Sequence, residues 1–149
     1  MSKSIILAIP AVLLAMFTGC EQTQPVSYKG KTQITIIFTA TSDLVAEGDR
    51  IFASHAKWME RTHYREGELA LLRYNIVKGP ELSNPMDPSS EPTGNTSFVL
   101  TEVYENPAGL VDHWKQAAEN WEDFAAVGEW VSKVKVTTVH GSPVIYSLW

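Results

Sequence analysis

The order in which strand-like and helical patterns follow one another constrains this chain more than any single residue does. Thr32–Ala40 (TQITIIFTA) is dominated by β-branched and aromatic residues and predicts a strand. Thr41-Ser42-Asp43 supplies helix-capping chemistry, and a helix is expected from there to about Thr62. Its apolar stripe is Leu44, Ile51, Phe52, Trp58 and Met59. A second strand is expected over Glu68–Lys78 and a third over Thr96–Glu105, with Phe98, Leu100, Glu102 and Tyr104 on one face of the third. Between them, Gly79–Asn95 holds four prolines and reads as a loop unusually long for a hairpin. Asn106-Pro107 is a strong helix start. The helix that follows carries Leu110, Val111, Trp114, Ala118, Trp121 and Phe124 on its apolar side and is expected to break near Asn120 or Gly128. A last strand is expected over roughly Lys135–Leu148, interrupted at Gly141-Ser142-Pro143.

That order is β-α-β-β-α-β, an α+β arrangement of the split, ferredoxin-like kind. Two helices cover one face of its four-stranded sheet, and the other face needs cover that a second copy of the chain would provide. The pattern occupies residues 32–149, a length suited to one domain with its own core.

The residues ahead of that domain have a different character. Lys3 precedes an apolar run, Ile5–Phe17, of 13 residues. A membrane-crossing helix needs about 20, so the run reads as the h-region of a signal peptide. Phe17-Thr18-Gly19-Cys20 resembles the lipobox of bacterial lipoproteins. That resemblance implies cleavage after residue 19, a lipid on Cys20 (the single cysteine), and a polar tether over residues 20–31. The expected location is then the cell envelope, outside the cytoplasm. The whole chain has a formal net charge of −5, and loss of Lys3 would make it about −6. An acidic chain without a basic patch argues against nucleic-acid binding and leaves the anchor as the expected membrane contact.

The segment Phe98–Trp114 (FVLTEVYENPAGLVDHW) is similar to the antibiotic biosynthesis monooxygenase superfamily, through Phe98, Glu102, Tyr104 and His113. The resemblance implies a dimeric α/β barrel, a homodimer with a small-molecule pocket between sheet and helices. It further implies oxygenation of an electron-rich aromatic or enolic substrate without a cofactor. In such chemistry a base removes a proton and the substrate anion itself passes an electron to oxygen. The ligating histidine of the haem-degrading branch has no counterpart between residues 114 and 139.

Several residues are candidates for that chemistry. His55 interrupts the apolar stripe of the first helix and suits either a general base or a satisfied core histidine. His113, at the edge of its stripe, and Glu102 with Tyr104 complete the candidate catalytic set. Glu102 would be costly to bury without a donor, and His113 or Arg73 are the expected partners. Trp58, Trp114 and Trp121, with Arg73 and Asn75, are candidate substrate-binding residues, although tryptophans on such stripes are more often simply core. No histidine or carboxylate cluster stands at metal-ligand spacing, so no metal is expected. Nucleotide-binding motifs are absent as well. A non-catalytic module that holds an apolar ligand is the alternative reading.

Overall fold

The computed structural model describes residues 27–148; the leader, the lipobox-like segment with Cys20, and Trp149 lie outside the described residues. Strand β1 (Thr32–Ala40) leads through a 3-10 turn, Ser42–Leu44, into helix α1 (Val45–Thr62). Strands β2 (Leu71–Leu82) and β3 (Pro92–Tyr104) follow, then α2 (Pro107–Asn120), α3 (Phe124–Val131) and β4 (Lys135–Pro143). The strands form one antiparallel open sheet in the order β2-β3-β1-β4. This is an α+β architecture with three helices, compatible with a ferredoxin-like fold.

Local chemistry accounts for most of the boundaries. The Asn106 side chain accepts a hydrogen bond from the Ala108 amide at 2.8 Å and Pro107 opens α2, as the sequence predicts. The expected helix break falls at Trp121–Asp123, and Gly128 sits inside α3. At the start of α1, Thr41 caps only the 3-10 turn, without a side-chain hydrogen bond. The presumed long loop is shorter than expected. β2 and β3 continue pairing through Pro80↔Thr96 and, past an irregularity, Leu82↔Pro92, which leaves a turn over residues 83–91. Pro92 begins its strand and Pro80 lies next to a register shift, positions where a missing amide costs the ladder little.

Alternation along β1 sends Ile34, Ile36, Phe38 and Ala40 into the core and leaves Ile37 partly exposed on the outer face. At one end of the molecule Phe38, Phe52, Phe98 and Trp130 pack ring to ring, with centroids 5.1 to 5.8 Å apart. Gly48 permits this: a β-carbon there would stand 2.8 Å from the Trp130 ring and 3.0 Å from Phe98.

The buried stripe of α2 differs from the expected one. It comprises Gly109, Leu110, His113 and Ala117, while Val111 and Ala118 face solvent. Val111 and Trp114 dominate a hydrophobicity count, but the helix is rotated so that small Gly109 and Ala117 allow close approach to the sheet. A β-carbon on Gly109 would meet the Leu69 carbonyl oxygen and the Tyr104 ring at 3.0 Å.

Candidate functional site

At the other end of the core, α1, β3 and α2 each contribute one buried ionisable side chain to the same spot. His55 comes from the middle of α1, Glu102 from the inner face of β3, and His113 from the centre of the buried stripe of α2. One donor atom from each lies within 4.8 Å of the other two. His55 Nε2 is 3.9 Å from Glu102 Oε1, and His113 Nδ1 is 4.0 Å from Glu102 Oε2. These separations are too long for hydrogen bonds.

Each group is instead fixed from behind. Tyr104 donates its hydroxyl to Glu102 Oε2 at 2.7 Å, so the carboxylate has one bound oxygen. The other, Oε1, is the one buried side-chain polar atom without a partner among the described residues. His55 Nδ1 is paired with the Tyr74 hydroxyl at 3.0 Å. His113 Nδ1 meets His63 Nε2 at 3.1 Å, and His63 Nδ1 meets the Thr62 hydroxyl at 3.0 Å. The Thr62 hydroxyl spends its proton on the Trp58 carbonyl at 2.7 Å. Thr62 Oγ1 must therefore accept from His63 Nδ1–H, which leaves His63 Nε2 to accept from His113 Nδ1–H. This chain assigns the tautomer of His113 and leaves the lone pair on its Nε2.

Burial shifts the ionisation of all these groups toward their neutral forms. Removal from water raises the Glu102 carboxyl to about 7, against the lowering effect of the Tyr104 hydroxyl. Burial lowers His55 to about 3, with the nearby His63 acting in the same direction. It lowers His63 to about 4 and His113 to about 2. Desolvation also raises the Tyr74 and Tyr104 phenols, with the Glu102 carboxylate adding to both. Both tyrosines thus stay protonated and able to donate.

His55, Glu102 and His113 line a half-open cavity of about 360 Å³ between the sheet and the helices. Its remaining walls are largely apolar, including Ile36, Phe52, Leu100, Trp121, Phe124 and Val131. At its β4 side the Trp114 indole donates to His140 Nε2 at 3.1 Å, with the two rings stacked 5.8 Å apart. A largely apolar cavity with a few polar groups among its lining is the usual form of a small-molecule site.

The candidate catalytic residues His55, Glu102, Tyr104 and His113 are therefore brought together, and Trp114 and Trp121 line the cavity beside them. Trp58 is core: its ring is fully buried, stacks near His55 and Trp121, and donates to Asn120 Oδ1. Arg73 and Asn75 are not brought to the site. They sit opposite Val103 and Thr101 on the outer face of the sheet and bond to each other at 2.9 Å. A bulge between Leu71 and Arg73 fixes that facing and turns Tyr74, opposite Glu102, inward. Arg73 is thus no partner for Glu102. The residues that sequence reasoning missed are Tyr74, His63 and His140. The Tyr74–Ile76 alternation was the available signal for the first, whereas nothing local marks the two histidines. His55, Glu102 and His113 are expected together as catalytic candidates, but linear spacing does not show them as a ligand-type cluster, because they come from three separate elements.

Comparison of the chain with protein-family models, curated proteins and solved structures finds no match.

Proposed function

We propose that the chain binds a flat, mostly apolar small molecule in the cavity and removes a proton from it with Glu102. The observation that carries this reading is the unpartnered Glu102 Oε1, buried on the wall of an apolar cavity and facing His55. Leaving a carboxylate oxygen unbonded there costs on the order of 1–3 kcal/mol, a cost expected where the oxygen has a task. Tyr104 keeps Oε2 occupied, so a substrate O–H or C–H meets Oε1 alone. His55, with Tyr74 donating to Nδ1, presents Nε2–H to the oxyanion that forms.

The finer reading is cofactor-independent oxygenation of a phenolic or enolic compound, in line with the resemblance of Phe98–Trp114 to the antibiotic biosynthesis monooxygenase superfamily. The substrate carbanion bonds oxygen and the resulting hydroperoxide loses water. A CH₂ group and O₂ thus become C=O and H₂O, with all four electrons supplied by the substrate. The outer sheet face, with Ile37, Val77 and Val139 exposed, suits a second copy and the dimeric barrel of that superfamily. Export and a lipid on Cys20 complete the proposal and locate this chemistry at the envelope.

Oxygen uptake by the purified protein, offered a panel of hydroquinones and phenols, is the test. Uptake is expected with at least one member and is expected to disappear in Glu102→Gln. No uptake above that of a His55→Ala, His113→Ala double variant sinks the oxygenase reading. If members of the panel still quench the cavity tryptophans in that case, the chain is a binding module.

A further inference from the structure

The same three side chains have the composition and layout of a metal-ligand set. We propose that His55, Glu102 and His113 bind one divalent first-row transition-metal cation. Two imidazoles and one carboxylate are the donors that suit Zn²⁺, Fe²⁺ or Co²⁺, whereas Mg²⁺ and Ca²⁺ prefer sites built of oxygen. The donor atoms converge within 4.8 Å, and all three residues are buried. Around an ion at about 2.1 Å from each donor, neighbouring donors stand roughly 3 to 3.5 Å apart. The 3.9 Å between His55 Nε2 and Glu102 Oε1 therefore has to close by only about half an ångström.

The hydrogen bonds behind the donors support the assignment independently. Metal-bound histidines commonly donate their second ring N–H to a fixed acceptor. The Thr62–His63 chain already gives His113 that form, with Nδ1–H donating and the Nε2 lone pair unused. The Tyr74 hydroxyl can accept as well as donate, so His55 reaches the same form by donating Nδ1–H to it. Glu102 Oε2 is held by Tyr104 while Oε1 is unpartnered. Each residue thus has one polar atom anchored and another unused. His113 Nδ1, the anchored nitrogen, is the one 4.0 Å from Glu102 Oε2, so an ion would require the ring to bring Nε2 round toward the carboxylate. A dication on two neutral imidazoles and one carboxylate retains a net charge of +1, and the cavity provides space for a further ligand.

The inference does not rest on oxygenase activity: an ion would occupy Glu102 Oε1 and His55 Nε2, so the proton-transfer roles given above belong to the metal-free protein, and the test of the ion has a separate readout. Protein stripped with a chelator is titrated with Co²⁺ and followed by visible absorption. Binding of one equivalent with d–d bands, displacement by Zn²⁺, and indifference to Mg²⁺ are expected. Zn²⁺ is also expected to raise the thermal midpoint. Glu102→Gln and His113→Gln should each weaken Co²⁺ binding at least about tenfold, with far-UV dichroism confirming that each variant is folded. Should either variant fail to fold, Tyr74→Phe removes only the outer partner of His55; weaker binding with the bands retained is expected. The proposal is overturned if the wild-type protein shows neither bands nor a Zn²⁺-dependent midpoint, the result for a site that holds only water. It is equally overturned if folded Glu102→Gln and His113→Gln bind Co²⁺ like wild type.

Discussion

The two ends of the core are built on the same sheet and the same first helix, yet they are filled in opposite ways. One end is closed by Phe98 and Trp130 packed on Phe38 and Phe52, which also border the cavity, with Gly48 admitting the indole and the Trp130 N–H donated to the Leu44 carbonyl. The other end replaces hydrocarbon with three histidines, a glutamate and two tyrosines beside a cavity. Packed apolar groups stabilise a fold, whereas buried ionisable groups cost stability unless fully satisfied. The contrast assigns stability to the first end and chemistry to the second, and the assignment can be broken experimentally.

The largest effect is expected from Trp130→Ala at the filled end. Loss of this buried ring should cost about 3–5 kcal/mol of unfolding free energy in urea titration. If the division holds, cavity-ligand binding by the folded fraction stays unchanged. A variant that keeps its stability would break the comparison.

Acidification should act through the polar end in metal-free protein. His55, His63 and His113 have folded-state pKa values below the unfolded value, so the unfolded chain takes up protons first and stability falls as pH drops below about 6.5. Glu102 opposes this, because its raised pKa adds stability as pH falls from about 7 toward its unfolded value. With three groups against one, the urea midpoint should be highest near pH 6.5 and lower at pH 5. An unchanged midpoint at pH 5 would mean that the histidines are not buried as neutral groups.

The smallest effect belongs to the outer face. Arg73→Ala removes a side chain bonded only to Asn75 and should change stability by no more than about 0.5 kcal/mol and ligand affinity not at all. A drop in affinity would return Arg73 to the site.

These contrasts also explain what the sequence makes legible. Element order, the Asn106-Pro107 cap and the inward set Phe98, Leu100, Glu102 and Tyr104 follow from periodicity and capping, which are local. His55, Glu102 and His113 stand out singly because polar groups on apolar faces are conspicuous. They are expected as one candidate set, but the geometry of their convergence is not legible, since it depends on where α1 and α2 cross the sheet. The facing of Arg73 and Asn75 depends on a bulge in β2, and the turn of α2 on the small residues Gly109 and Ala117. His63 takes its importance from a partner 50 positions away.

The way the chain enters the fold has a mechanical consequence. Tyr28 is tied to Ser147 through its amide, and Gly30 and Lys31 pair with Val144, so the segment leading into β1 is clasped by the chain beyond β4. β1 lies inside the sheet, hydrogen-bonded on both sides. Tension entering at Tyr28 is therefore carried as shear across two ladders rather than peeling an edge strand. Ile34, Ile36 and Phe38 on that strand are also walls of the cavity, so a load on the segment before β1 would be felt in the shape of that cavity.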